Sequence, residues 1–169
     1  MVTIRKAREG DAGLLTEIGM RAWRKAMASV GEAAEMVANA RDAFARFTEE
    51  GWITITVVEA SGIPAGWAAR EDMDETITDF WIDPDFEGRG LGTALLDAVE
   101  EGMKAQGFSV ARLQTHAMNG DALKFFEKRG YSVNWLTVSY NPKLDRDVQS
   151  VGLSKLLSDE GGTGYGQEF

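Results

Sequence analysis

The 169-residue chain contains no cysteine, three prolines and a single histidine. Without a thiol it can form neither a disulfide nor a thiolate zinc site, and it has no cysteine nucleophile. Acyl transfer through a thioester on the protein is therefore excluded. The sequence also lacks an apolar run of the roughly 20 residues that span a bilayer, and its N-terminus lacks the apolar segment of a signal peptide. We expect a cytoplasmic protein without a membrane partner.

Positive charge is also scarce, because 18 Lys and Arg residues stand against 27 Asp and Glu residues, for a formal net charge of −9. Binding to a nucleic-acid backbone needs a basic patch, and none is visible in the sequence, so we expect no nucleic-acid partner. An acidic cleft would attract a cationic acceptor such as an amine, although acidity also simply keeps a protein in solution. We expect no metal site, and a homodimer is compatible with the sequence.

Apolar periodicity predicts an alternation of helices and strands along most of the chain. Helices are predicted over residues 11–28, 32–50, 91–106 and 121–129, and strands over residues 2–6, 52–60, 65–70, 76–82, 110–116, 131–140 and 148–157. Strands joined partly by hairpins and partly by helices indicate a mixed α/β layer rather than a doubly wound parallel sheet. The length fits one domain, over residues 1–157. Residues 158–169 have little apolar mass, which predicts a flexible C-terminal tail.

The most informative segment is D-F-W-I-D-P-D-F-E-G-R-G-L-G-T-A, from residue 79 to residue 94. An apolar strand is broken at Pro84, and Gly88, Gly90 and Gly92 then precede a helix. Backbone N–H groups converge at such a helix N-terminus and bind anions, and glycine permits the close approach. The spacing differs from the dinucleotide fingerprint and lacks the Gly-Lys-Ser/Thr ending of a P-loop. These differences argue against a nucleotide-binding protein and leave open whose phosphate is bound.

Two motifs in the sequence resemble those of the GNAT superfamily of N-acetyltransferases. Residues 80–96 are similar to the acyl-CoA pyrophosphate motif Q/R-x-x-G-x-G/A, with Gly90 and Gly92 in place and Glu87 where the family prefers Gln or Arg. N-G-D-A-L-K-F-F-E-K-R-G-Y, over residues 119–131, resembles the family element N-x-x-A-x-x-F-Y-E-K-x-G-F. The motifs keep the family's order and separation, and the resemblance extends from residue 3 to about residue 157.

The resemblance implies a central, mostly antiparallel sheet that is splayed in the middle, with helices on both faces. It also implies transfer of an acetyl group from acetyl-CoA to a primary amine of a small molecule or protein, by direct attack in a ternary complex. The expected cofactor-binding positions carry over residue by residue. Backbone groups at Phe80, Trp81 and Ile82 would hold the acyl carbonyl and pantetheine arm. The diphosphate would bind at Gly88, Arg89, Gly90, Leu91, Gly92 and Thr93, and the arm at Asn119.

The resemblance is weaker for proton transfer. Many relatives have a Tyr, which protonates the leaving thiolate, at the position that Phe126 occupies beside the cofactor. Either another group serves, or the thiolate leaves unaided, since a thiol pKa of about 8.5 makes it a tolerable leaving group. Tyr131 and Tyr140 are near in sequence and read more readily as strand aromatics. For the general base, His116 and Asp79 are the two leading candidates, and Glu75 is a third.

The departures at Phe126 and Glu87 favour a second hypothesis, a non-catalytic acyl-CoA-binding or sensor module. The acceptor is not determined by the sequence. We expect residues 21–27, the loop near Met73 and residues 134–142 to shape its site. Four tryptophans either wall a pocket or belong to the core, as tryptophans in small domains mostly do; they are Trp23, Trp67, Trp81 and Trp135.

Overall fold

The structure is a computed structural model that describes residues 1–28, 34–116, 119–141 and 146–157. Within these ranges the chain forms four α-helices and eight strands. The helices are α1 (Ala12–Ala26), α2 (Ala34–Glu50), α3 (Leu91–Ala105) and α4 (Gly120–Lys128). The strands are β1 (Val2–Lys6), β2 (Ile55–Ala60), β3 (Ile63–Ala69), β4 (Thr76–Ile77), β5 (Asp79–Ile82), β6 (Val110–His116), β7 (Ser132–Asn141) and β8 (Arg146–Leu156).

The strands pair in two four-stranded groups. The first has the order β1-β2-β3-β5 and is antiparallel throughout. The second has the order β4-β6-β8-β7, in which β4 and β6 are parallel and the other pairs are antiparallel. The two groups are continuous through the chain, because β4 and β5 are separated by a single residue.

The prediction of one continuous strand over residues 76–82 is wrong. Ile77 pairs with Leu113 of β6, whereas Asp79 pairs with Ala69 of β3. Thr78 lies at the change of partner, where its N–H donates to the Ala69 carbonyl at 2.9 Å and its hydroxyl donates to the same oxygen at 3.1 Å. The chain therefore leaves one group of strands and joins the other at this point. A mostly antiparallel sheet that is splayed in the middle is confirmed.

Helices cover both faces of the first strand group, as predicted. Side chains alternate along each strand, so that Val57 and Trp67 face the cluster built with α1 and α2, while Val58 and Ala68 face the cluster built with α3. Trp67 is fully buried, and its indole N–H donates to the Leu15 carbonyl at 2.8 Å. This tryptophan is a core residue with its polar atom satisfied, and Trp23 is likewise buried.

Element boundaries differ from the prediction mainly before β2. Residues predicted as the start of a strand form a 3-10 turn, Trp52–Thr54, in which the Thr54 N–H donates to the Gly51 carbonyl at 3.0 Å. The predicted tail, residues 158–169, lies outside the described residues. Of the helices in the described ranges, none is both long enough and apolar enough to cross a membrane.

Candidate functional site

A cavity of about 670 Å³ lies where β5, the N-terminal end of α3, α4 and the C-terminal part of α1 meet. Its position follows from the splayed sheet, because β5 ends the first strand group and no described strand pairs with its second edge. The described lining includes apolar side chains of β5 and α4 together with part of the glycine segment, residues 83–93. The polar side chains that line it are Lys25, Glu87, Thr93, Asn119, Asp121 and Arg129.

The glycine segment forms a turn in which a residue with a Cβ would be strained. Gly88 has a φ of 79° and Gly90 a φ of 77°, in the left-handed region that disfavours residues with a Cβ. Gly90 is also the N-cap of α3, where the first helical hydrogen bond runs from the Ala94 N–H to the Gly90 carbonyl at 3.1 Å. The preceding N–H groups of such a first turn lack partners within the helix. Together with the helix dipole, they make this end of the cavity suited to an anion.

Gly92 serves a different purpose from the other two glycines. A Cβ at this position would lie 3.2 Å from the ring of Phe125 on α4. The absence of a side chain thus lets the first turn of α3 approach α4 closely. This contact fixes one wall of the cavity relative to the glycine turn.

The three predicted strand residues all line the cavity. Phe80 packs against Phe125 and Phe126, with ring centroids 5.7 and 5.4 Å away. Trp81, on the opposite face of β5, makes an edge contact with Phe44 at 5.2 Å. Packing therefore holds the side chains of β5. The backbone edge of β5 that is not paired with β3 lies where the two strand groups separate. Trp135, by contrast, lies on β7 and is 41% exposed.

Asn119 and Phe126 also line the cavity. The Asn119 side-chain oxygen accepts from the Ala122 N–H at 3.3 Å, which caps α4. Its amide group thus has a structural task at the same place where the resemblance expects a ligand contact. Phe126 is 5% exposed and contacts the rings of Phe125 and Tyr131 as well as Phe80. An apolar ring, without a proton to donate, closes this part of the wall.

The structure describes the side chain of one of the two leading base candidates, Asp79. Asp79 accepts a hydrogen bond from the Trp81 indole N–H at 3.0 Å, and the described lining does not include it. His116 ends β6 with its backbone opposite Ser150, and its side chain lies outside the described residues.

The surroundings of Tyr131 make it unsuited to proton transfer. Its hydroxyl donates to the buried Glu100 carboxylate at 2.7 Å, and Lys155 contacts the same carboxylate at 2.9 Å. Burial, reinforced by this hydrogen bond to Glu100, raises the pKa of Tyr131 far above its usual range. The group therefore connects α3 to the start of β7 and is unsuited to protonate a leaving thiolate near neutral pH.

Two charged residues of the glycine segment have partners that the sequence did not reveal. Arg89 stacks on the ring of Phe86, with its guanidinium carbon 5.2 Å from the ring centroid, and the described lining does not include it. Glu87 forms an ion pair with Lys25 of α1, a hydrogen bond that raises the pKa of Lys25. The carboxylate that stands where the family has Gln or Arg is thus neutralised by a lysine on another element.

A second ion pair connects α1 to the same segment. Asp83 is 2% exposed and binds Arg21 at 2.6 Å, while its other oxygen accepts from the Asp85 N–H at 3.0 Å. Burial alone would raise the pKa of Asp83, but the Arg21 guanidinium and the Asp85 N–H outweigh it and hold that pKa below its usual value. Since Arg21 and Lys25 are four residues apart on one helix face, α1 is fixed to the glycine segment at two points.

Sequence reasoning did not single out Arg129 among the residues that line the cavity, and it included Lys25 only within the range 21–27 expected to shape the acceptor site. Arg129 follows α4 directly and contacts Thr93 in the first turn of α3. Its place in the second motif is one that the motif leaves unspecified, so spacing alone gave no signal. A search for cations on the helices that flank the glycine turn would have found both residues. Within the described ranges, no three potential metal-ligating side chains form a group.

Comparison with known proteins gives a family match over most of the chain. The family model described as "Acetyltransferase (GNAT) family" matches residues 18–131. An uncharacterised N-acetyltransferase of Methanocaldococcus jannaschii is 32% identical over 84 residues, which cover 44% of this chain and 37% of that protein. The ribosomal protein bS18-alanine N-acetyltransferase of Escherichia coli is 25% identical over 103 residues, which cover 60% of this chain and 70% of that protein.

Solved structures share the fold at lower sequence identity. The PaiA N-acetyltransferase of Thermoplasma acidophilum, solved in complex with coenzyme A, superposes with a TM-score of 0.77. It is 18% identical, and the match covers 92% of this chain and 99% of that one. At this identity the likeness establishes the common architecture and no more.

Proposed function

The chain belongs to the acetyltransferase (GNAT) family, and on that premise we propose that it is an acetyl-CoA-dependent N-acetyltransferase acting on a primary amine. The observation that carries the proposal is the cavity itself. β5, whose other edge pairs with no described strand, leads directly into a left-handed glycine turn and a helix N-terminus within one continuous pocket. This arrangement suits a ligand with an extended amide-containing arm and a diphosphate.

Each part of the cavity then has a role in binding acetyl-CoA. Backbone groups at residues 80–82 bind the acyl carbonyl and the arm, and the N–H groups of residues 88–93 bind the diphosphate. Asn119 borders the arm, and Phe126 forms an apolar wall beside it. Bound acetyl-CoA supplies the activated thioester.

The acetyl group moves in a single step from sulfur to nitrogen. The neutral amine attacks the thioester carbonyl carbon, the carbon–sulfur bond breaks, and the nitrogen loses a proton to a base. His116 and Asp79 are the proposed bases. Because Phe126 has no proton to give, the thiolate takes its proton from water after departure, which a thiol pKa of about 8.5 permits. No covalent intermediate with the protein is required.

We propose that the acceptor enters beside α1, where Ala22, Lys25 and Ala26 line the cavity. The small alanine side chains leave room for an approaching amine. Relatives include an enzyme that acts on an alanine of a ribosomal protein, so a peptide amine belongs among the acceptors to be examined.

The test is release of free CoA from acetyl-CoA, detected as a new thiol, across a panel of amines. The panel contains peptides that present an alanine amine, free amino acids, diamines and aminoglycosides. We expect release with at least one acceptor, together with an acceptor product 42 Da heavier by mass spectrometry. If the chain does not bind CoA at all in calorimetry, the proposal is refuted at its first step.

The alternative function is that of an acyl-CoA-binding or sensor module without turnover. Phe126 favours it, because the position at which relatives carry a proton donor here carries a buried phenyl ring. Tight acetyl-CoA binding with no thiol release for any acceptor would select this alternative. Binding accompanied by turnover would eliminate it.

A further inference from the structure

Arg129 is held against the glycine turn by contacts from two elements. Its Nε and Nη2 atoms both donate to the hydroxyl oxygen of Thr93, at 3.1 and 2.6 Å. Its guanidinium carbon lies 5.1 Å from the centroid of the Phe125 ring. The side chain is half-buried and lines the cavity. A long flexible side chain is therefore fixed with its charge beside the first turn of α3.

The charge of Arg129 has no acidic counterpart among the residues that the structure describes. Arg5, Arg21, Arg41 and Arg112 each form an ion pair with a carboxylate. Arg129 instead contacts one neutral hydroxyl, although a guanidinium carries five N–H donors. At least two of its donors are thus available to a further acceptor.

The positive end of α3 makes a cation without an ion-pair partner, such as Arg129, electrostatically unfavourable beside it. Thr93 is the third residue of α3, where the helix dipole already presents partial positive charge. A guanidinium at the same end adds to that charge, whereas an anion between them would be attracted by both. Glu87 contributes no net charge of its own to the turn, because Lys25 neutralises it. Arg129 therefore adds a cationic side chain beside the glycine turn, in addition to Arg89, which stacks on Phe86 within the turn.

We propose that Arg129 is a phosphate-binding residue, whose guanidinium donates to a phosphate oxygen of the ligand held by the N–H groups of residues 88–93. Thr93 and Phe125 hold the guanidinium in position before the ligand binds, which limits the side-chain entropy lost on binding. Through Arg129 the site distinguishes ligands with phosphate groups from those with the pantetheine arm alone. This inference rests on the proposed function, since it takes the ligand to be CoA.

A purely structural role makes a different prediction. The guanidinium follows the last turn of α4, where a cation is also favourable to the negative end of that helix. If this were its whole role, replacing Arg129 would lower stability and weaken all ligands alike. A phosphate contact is selective instead, because only phosphorylated ligands can lose it.

The experiment compares two ligands that differ in phosphate content. Calorimetry measures the Kd of CoA, and NMR titration measures the weaker Kd of pantetheine, for the wild-type chain, Arg129→Gln and Arg129→Lys. Arg112→Gln is the matched control. Arg112 is an exposed arginine that forms an ion pair with Glu75, the residue before β4, and it does not belong to the described cavity lining. Thermal melting checks that each variant is folded.

We expect Arg129→Gln to weaken CoA binding by about 10-fold to 100-fold, the range for losing a hydrogen bond to a charged group. Pantetheine binding should stay within about twofold of wild type. Arg129→Lys should recover part of the loss as a point charge, and Arg112→Gln should bind CoA normally. The salt dependence of CoA binding should be shallower in Arg129→Gln.

Equal weakening of both ligands, or a CoA affinity unchanged by Arg129→Gln, would overturn the phosphate-binding role. Either result, with a wild-type chain that binds CoA, leaves the proposed function standing. A wild-type chain that does not bind CoA would instead refute the proposed function together with this inference.

Discussion

Replacing Glu87 with Gln should strengthen CoA binding, because the substitution removes a carboxylate that lines the cavity beside the proposed diphosphate site and leaves Lys25 free to attract the diphosphate. Unit charges separated by about 6 Å interact by about 0.7 kcal/mol in water and by about 3 kcal/mol at a protein surface of lower dielectric. Glu87 is 46% exposed and Lys25 51% exposed, so the lower end applies after solvent screening. We expect a gain of about threefold to tenfold in affinity.

The matching substitution, Lys25→Met, should have the opposite effect. It leaves the Glu87 carboxylate uncompensated beside the phosphates, and we expect CoA to bind about threefold to tenfold more weakly. The double variant restores the net charge of the wild-type pair and should bind with nearly wild-type affinity. The expected order, from weak to tight, is Lys25→Met, then wild type and the double variant together, then Glu87→Gln.

Calorimetric titration of CoA at about 0.1 M and about 1 M salt provides the assay, since the Debye length falls from about 10 Å to about 3 Å over that interval. The spread among the variants should shrink at the higher salt. Glu17→Gln is the control, because Glu17 and Arg41 form an ion pair of similar exposure, 47% for each side chain, away from the cavity lining. Weaker binding by Glu87→Gln, or a spread that ignores salt, would refute the electrostatic reasoning.

Three further predictions concern the elements around the cavity. Gly90→Ala must adopt a φ of 77°, so we expect a loss of about 1–2 kcal/mol in the free energy of unfolding and weaker CoA binding, measured by urea denaturation and calorimetry. Tyr131→Phe leaves the buried Glu100 with one partner fewer, and denaturation should show a loss of about 1–3 kcal/mol with CoA affinity retained. The lowered pKa of Asp83 stabilises the fold above the unfolded pKa of about 3.9, and this contribution is lost as pH falls through the lower folded value. Asp83→Asn should therefore flatten the acid limb of the stability curve, and an unchanged limb would contradict the assignment.

The layered fold could be predicted because its causes are local. Successive side chains of β2 and β3 lie on opposite faces of the sheet, Val57 and Trp67 in one cluster and Val58 and Ala68 in the other. All four are buried, and a short apolar run of this kind already indicates a strand covered on both faces. The split of the strand at Thr78 could not be predicted in this way. It depends on which neighbour each backbone group meets, and Ala69 and Leu113 are brought there only by the folding of the remaining strands.

The candidate site divides along the same line. Backbone donors at Gly88 and Gly90 follow from the order of the glycines, since left-handed φ values and a helix start are properties of a short segment. The charges around that turn are contributed by residues far away in sequence. Lys25 is 62 residues from Glu87, and Arg129 is 36 residues from Thr93, so no motif read along the chain could reveal either contact.

The long sequence distance between Glu87 and Lys25 explains why Glu87 is unfavourable when the motif is considered alone. Considered alone, a carboxylate beside a diphosphate opposes binding, and together with Phe126 it supported the alternative hypothesis of a non-catalytic sensor module. In the folded chain Lys25 pairs with that carboxylate, while Arg129 brings a cation that forms no ion pair with a described acid. A departure from a motif is therefore evidence about the residue type at one position, whereas the electrostatic property that binding requires belongs to all the elements that meet there.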